Sequence, residues 1–117
     1  MSLKLTADSF LGLVKQSGLI EPDRLRRVRD LWRDEGVTAE NPRSVAERLV
    51  EQGLLTRWQA DKLLQGKHRG FFLSKYRLLS LLGAGGMSKV YLAEHVLMRR
   101  RCALKVLPSK RVEDTSY

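Results

Sequence analysis

The residues best suited to chemistry lie in one short stretch, Gly83-Ala84-Gly85-Gly86-Met87-Ser88-Lys89-Val90, followed by the apolar run Cys102-Ala103-Leu104-Lys105-Val106-Leu107. Glycines let the backbone turn sharply and bring bare N–H groups against phosphate oxygens, so the stretch suggests a phosphate cradle. An ordinary hairpin turn uses the same residues. Other candidates point to structure rather than chemistry. Arg99, Arg100 and Arg101 could grip a phosphodiester backbone, but they read as a solvated turn between two strands. His68 and His95 have no partners at ligand spacing, so no metal site is expected. Cys102 is the single cysteine; it can form no internal disulfide and reads as a core residue. Thr115 and Ser116 could accept phosphate, though a frayed terminus accounts for them too.

Two architectures could hold the glycines. In a dinucleotide-binding fold they would open a helix from about Lys89 to Arg101, with Cys102 to Leu107 as the next parallel strand. Ser88 stands where that fingerprint needs its third glycine, and no acidic residue closes the following strand to hold a ribose. In the other, Tyr76, Leu78, Ser80 and Leu82 alternate as a strand, the glycines fold back as a hairpin, and Val90 to His95 and Arg101 to Leu107 continue an antiparallel meander. Lys105 then lies inside a strand, where a buried charge is expected to need a partner.

The run from Leu82 to Ala93, taken with Cys102 to Leu107, resembles the start of a bacterial serine/threonine protein kinase domain of the eukaryotic-like type, over about residues 75 to 112. The resemblance implies roles residue by residue. Gly83, Ala84, Gly85, Gly86, Met87 and Ser88 would cover the phosphates of ATP, with Met87 at the loop tip and Ser88 replacing the third glycine. Leu82, Val90 and Ala103 would line the adenine pocket from above. Lys105 would be the catalytic lysine, pairing with the alpha and beta phosphates. ATP with magnesium and a protein substrate are thereby implied for the parent protein. The glutamate that would pair with Lys105, the His-Arg-Asp catalytic loop and the Asp-Phe-Gly magnesium ligand would all lie beyond Tyr117. The sequence therefore reads as an N-terminal kinase fragment, and this chain by itself is expected to be inactive.

These residues need a scaffold, and the chain supplies two kinds. Shifted by 35 positions, the first half matches itself at Phe10 and Val45, Val14 and Leu49, Gly18 and Gly53, Leu19 and Leu54, Ile20 and Leu55, and Val28 and Leu63. Each unit predicts a helix with one apolar stripe, a glycine stop, and a second helix. Pro22 marks one restart and the Thr56/Gln59 capping box another, with Ile20 and Leu55 placed to staple onto Leu25 and Ala60. The second helices are expected to bury Leu25, Val28, Leu31 and Trp32 in one unit, and Ala60, Leu63 and Leu64 beside Trp58 in the other. Asn41 and Pro42 reopen the chain between units. Arg24, Arg26, Arg27 and Arg29 are interleaved with acids, which predicts a solvated face with local ion pairs rather than a nucleic-acid surface. The segment leading from Leu54 to Phe71 looks like the helical stretch preceding the kinase in many planctomycete sequences.

The expected class is thus α+β, with about four helices in a helical repeat module (1–66), a linker (67–74), and a three-stranded antiparallel sheet beginning a kinase N-lobe (75–117). Charge divides the same way: residues 1–66 carry eleven Lys/Arg against ten Asp/Glu, whereas residues 67–117 carry eleven against three. At 117 residues the chain cannot hold a complete large enzyme. It has no run long enough to span a bilayer and no signal-peptide core, so a cytoplasmic location is expected. A small sheet with one bare face predicts that Leu78, Leu92, Leu104 and Leu107 are partly exposed or covered by the helices, and that the chain self-associates or unfolds easily. A helical docking module without catalysis and a dinucleotide-binding fragment are the competing functional readings.

Overall fold

A computed structural model describes residues 5–36 and 41–107. They form two compact units, Met1–Gly70 and Phe71–Tyr117. The first unit contains α1 (Ala7–Ser17), α2 (Pro22–Asp34), α3 (Pro42–Glu51) and α4 (Arg57–Leu64). Three of the four starts satisfy orphan backbone donors with a capping side chain the sequence announces, and α2 starts at a proline with no side-chain cap. Thr6 Oγ1 accepts from the Ser9 N–H at 3.0 Å, and Asn41 Oδ1 from the Ser44 N–H at 2.8 Å. Pro22 and Pro42 occupy first-turn positions whose missing N–H costs nothing. Asn41-Pro42 is therefore a helix start as well as a break between units. At α4 the box is reciprocal, with Thr56 Oγ1 accepting from Gln59 N–H at 3.1 Å and Gln59 Oε1 accepting from Thr56 N–H at 2.9 Å.

The 35-residue repeat is real in the backbone. Gly18 and Gly53 both take the left-handed conformation, at φ 77° and 74°, which a side chain would oppose. Phe10, Val14, Val45 and Leu49 are all fully buried and, with Leu63, form the centre of the core where α1, α3 and α4 pack. Ile20, Leu25, Leu55 and Ala60 are buried as well. The repeat fails in the second helices. Val28 is only half-buried where its counterpart Leu63 is fully buried, and Leu31 is 52% exposed, against expectation. Leu25 and Trp32 alone of the four residues expected on α2 are buried, because the flanking arginines and acids keep most of that helix in water.

The second unit is an antiparallel sheet in the order β1 (Phe72–Leu73), β2 (Tyr76–Gly85), β3 (Ser88–His95), β4 (Arg101–Val106). It has four strands, not three. The extra strand is two residues long, too short to show alternation. It is set by Ser74 turning at φ 55°, which pairs Leu73 with Tyr76, while buried Phe71 accepts from the Leu78 N–H at 2.8 Å. Residues from Lys89 to His95 are a strand paired antiparallel on both sides, which excludes the dinucleotide-binding arrangement. Register shifts at Leu78/Ser80 and Leu81/Gly83 place bulges in β2, which add to the sheet's twist. Leu78 is buried, and Leu92, Leu104 and Leu107 are half-buried. Thr115 and Ser116 lie outside the described residues.

Candidate functional site

The glycine stretch is strand, turn and strand rather than an open loop. Gly83, Ala84 and Gly85 belong to β2, Ser88 begins β3, and Gly86-Met87 is a two-residue turn closed by the Gly85/Ser88 pair. Gly86 has φ 57°, as the first central residue of a hairpin turn of the primed type requires. Met87 stands exposed at the tip. Gly83 and Gly85 are different. Neither has a positive φ, and a Cβ on either would meet no heavy atom within 4 Å. Packing inside the chain makes no demand for glycine there, so the bare backbone faces open space.

Register brings the sequence-predicted residues together. Gly83 is paired with Val90 and Val90 with Lys105, so these three form one row across β2, β3 and β4. Directly paired residues on antiparallel strands project from the same face. The next row on that face is Ser80, Leu92 and Ala103. Leu92 was missed as a site residue, although its spacing of two from Val90 marks it. Leu82 sits in the second bulge and is exposed. Arg101, Ala103 and Lys105 are exposed while Cys102, Leu104 and Val106 are half-buried, so the face carrying Lys105 is the open one. Cys102 is accordingly half-buried rather than central in a core.

Lys105 meets no carboxylate among the described residues, and its strand position is tolerated because it is solvated rather than paired. The resulting surface can do two things chemically. It offers glycine backbone unscreened by side chains at the hairpin, and an exposed ammonium beside a small apolar area formed by Val90, Leu92 and Ala103. This donor set fits a polyphosphate carrying an apolar group. It contains no carboxylate, so it provides no magnesium ligand.

The other candidates take structural roles. His95 Nδ1 accepts from the N–H groups of Leu97 at 3.2 Å and Met98 at 3.1 Å, organising the β3–β4 turn. Arg99, Arg100 and Arg101 are exposed at that turn, as expected. On α2, Arg26 pairs with Asp23 and Arg33 with Asp30, each at 3.4 Å and exposed, matching the solvated-face reading. The bidentate pair from Arg57 to Glu47, at 2.5 and 3.0 Å, joins α4 to α3 and holds the Glu47 carboxyl below its ordinary range, chiefly through the hydrogen bond. Among the described residues no cluster of three or more His, Cys, Asp or Glu could hold a metal, and no helix is long and apolar enough to cross a membrane.

Comparison with known proteins adds a local relationship. A stretch of 43 residues, 37% of the chain, is 37% identical to the serine/threonine-protein kinase PrkC of Bacillus subtilis. The chain spans 7% of that protein's length. No protein-family model matches the chain, and no solved structure matches it. The chain thus contains a region with local sequence similarity to a serine/threonine-protein kinase.

Proposed function

We propose that the sheet unit is the nucleotide-facing front of a serine/threonine protein kinase, in which Gly83 to Ser88 cover the phosphates of ATP and Lys105 pairs with them. The observation that carries this reading is the cross-strand row Gly83–Val90–Lys105 on the open face. A phosphate chain lying along the hairpin would meet those of its N–H groups that lie outside the β2–β3 ladder, together with the Lys105 ammonium, and charge-assisted hydrogen bonds of this kind are the strong ones. Val90, Ala103 and Leu82 would roof the adenine. ATP would bring magnesium, which neutralises developing phosphate charge, held by residues outside this set. Lys105 is the catalytic residue in this reading because it touches the phosphates. A protein hydroxyl is the expected acceptor, by analogy with the relative. The helical unit would serve docking or self-association.

Backbone amide resonances recorded during an ATP titration test the site. The expected result is shifts concentrated at residues 83–90 and 103–105. Shifts confined to Arg99–Arg101, with the glycine hairpin unmoved, would overturn it.

A further inference from the structure

At the end of the sheet opposite the Gly86-Met87 turn, two turns lie side by side: Ser74-Lys75 between β1 and β2, and residues 96–100 between β3 and β4. They are tied together. The Val96 N–H donates to the Lys75 carbonyl at 2.9 Å, and Tyr76 is paired with His95, the rings meeting edge-on at 5.3 Å. The longer turn is built rather than slack. Beyond the two bonds accepted by His95 Nδ1, the His95 carbonyl accepts from the Arg99 N–H at 2.8 Å, and the His95 N–H donates to the Arg100 carbonyl at 2.8 Å. This framework holds Leu97 80% and Met98 63% exposed at the apex. Phe72 and Leu73 are also exposed beside the shorter turn. Two adjacent aliphatic side chains held outward contribute little internal packing, and an exposed apolar patch with polar groups at its rim is the kind of surface that meets a partner. Lys75, Arg99 and Arg100 belong to these two turns and Arg101 begins β4 directly after the longer one, all exposed. Among the described residues only Arg99 of these faces a carboxylate, Glu94 at 3.9 Å, a separation that leaves its charge available.

We infer that this end of the sheet docks on the surface of an anionic lipid bilayer, with Leu97 and Met98 entering the boundary between headgroups and acyl chains. Lys75, Arg99, Arg100 and Arg101 would rest on the headgroup anions. The order of chemistry along the tip selects this partner. Aliphatic groups lead and cations follow, as a bilayer presents charge outside and hydrocarbon within. A single-stranded nucleic acid would instead be met by cations together with aromatic platforms, and a duplex backbone by cations with no aliphatic tip ahead of them, whereas the apex carries aliphatic side chains. The inference is independent of the nucleotide reading, since it uses the opposite end of the sheet.

Cosedimentation of the full chain with vesicles of phosphatidylcholine, with and without phosphatidylserine, tests it. Binding is expected only to the phosphatidylserine vesicles and should weaken with salt. Replacing Leu97 and Met98 together by Ser, which keeps every charge, should lower partitioning by about tenfold. Replacing Arg99, Arg100 and Arg101 by Ser should lower it by about tenfold or more, whereas replacing Arg24, Arg27 and Arg48 by Ser, the same change in net charge, should not. Circular dichroism of each variant controls for folding. The Leu97→Trp variant, which keeps the apex apolar, should show a blue shift of its added emission on phosphatidylserine vesicles. Equal losses from the two arginine triplets would reduce the effect to net charge and overturn the proposal. So would binding indifferent to Leu97 and Met98, absence of binding, or tighter binding of an RNA duplex that depends on the three arginines alone.

Discussion

Gly83, Gly85 and Gly86 are alike in sequence and unlike in what the backbone asks of them. Gly86 alone has a positive φ, at 57°, so Gly86→Ala should destabilise the sheet unit by about 1 kcal/mol, read from chemical denaturation. Gly83→Ala and Gly85→Ala meet open space and should change stability by less than about 0.5 kcal/mol. If the hairpin covers phosphates, these two silent variants should nonetheless blunt the ATP-induced amide shifts. The Glu47–Arg57 pair makes a second residue-scale prediction. The folded-state pKa of Glu47 lies below its unfolded value, so the pair adds stability above the unfolded carboxylate range. That contribution is lost as pH falls through the folded value. Both side chains are substantially exposed, so the effect is small. Wild type should melt above Glu47→Gln at neutral pH, and the gap should close in acid.

At the scale of the element, helix ends and stripes separate costly changes from cheap ones. Thr56→Ala removes one half of the capping box and strands the Gln59 N–H, for a loss of about 1 kcal/mol. Leu49→Ala opens a cavity at the fully buried meeting of α1, α3 and α4 and should cost about 2–5 kcal/mol. Leu31→Ala on α2 should cost much less, about 1 kcal/mol or below, despite identical chemistry, because about half of Leu31 is already exposed. Thermal melts followed at a helix-sensitive wavelength check all three. The stripes of α1 and α3 were legible from spacing alone, since Phe10, Val14, Val45 and Leu49 recur four apart with no charge between them on that face. The burial of α2 was not. An apolar residue at helical spacing is buried only if another element covers it, and Leu31 has no such cover.

For the whole molecule, charge is concentrated in one half. The eleven basic residues against three acidic ones in residues 67–117 will draw polyphosphates without geometry, but the Debye length is about 8 Å at 0.15 M salt, which screens that attraction. Calorimetry at physiological salt should therefore find ATP binding no tighter than millimolar, because in the proposed reading the hairpin, Lys105 and the apolar roof would supply only one wall of a site. In a protein that joins this chain to a catalytic loop and magnesium ligands, Lys105→Ala should abolish phosphoryl transfer. Micromolar binding by this chain would show that the single wall is a sufficient site.

Much of the local structure was determined by sequence because its causes are local. Gly18 and Gly53 stop helices since glycine takes the left-handed cap without strain, Asn41 and Thr56 start them by accepting from orphan N–H groups nearby in the chain, and Pro22 starts one by having no N–H to orphan. The glycine hairpin, the strand alternation that begins at Tyr76 and Leu78, and the solvated arginine turn were readable on the same grounds. Tertiary structure alone decided three things. It added β1, whose two residues are extended only because β2 pairs with them. It left Lys105 in solvent, so that its strand position needs no counter-charge. It also set the register that aligns Gly83, Val90 and Lys105, since bulges at Leu79 and Leu82 shift β2 against β3, and pairing of this kind depends on hydrogen bonds between distant residues that no local pattern encodes.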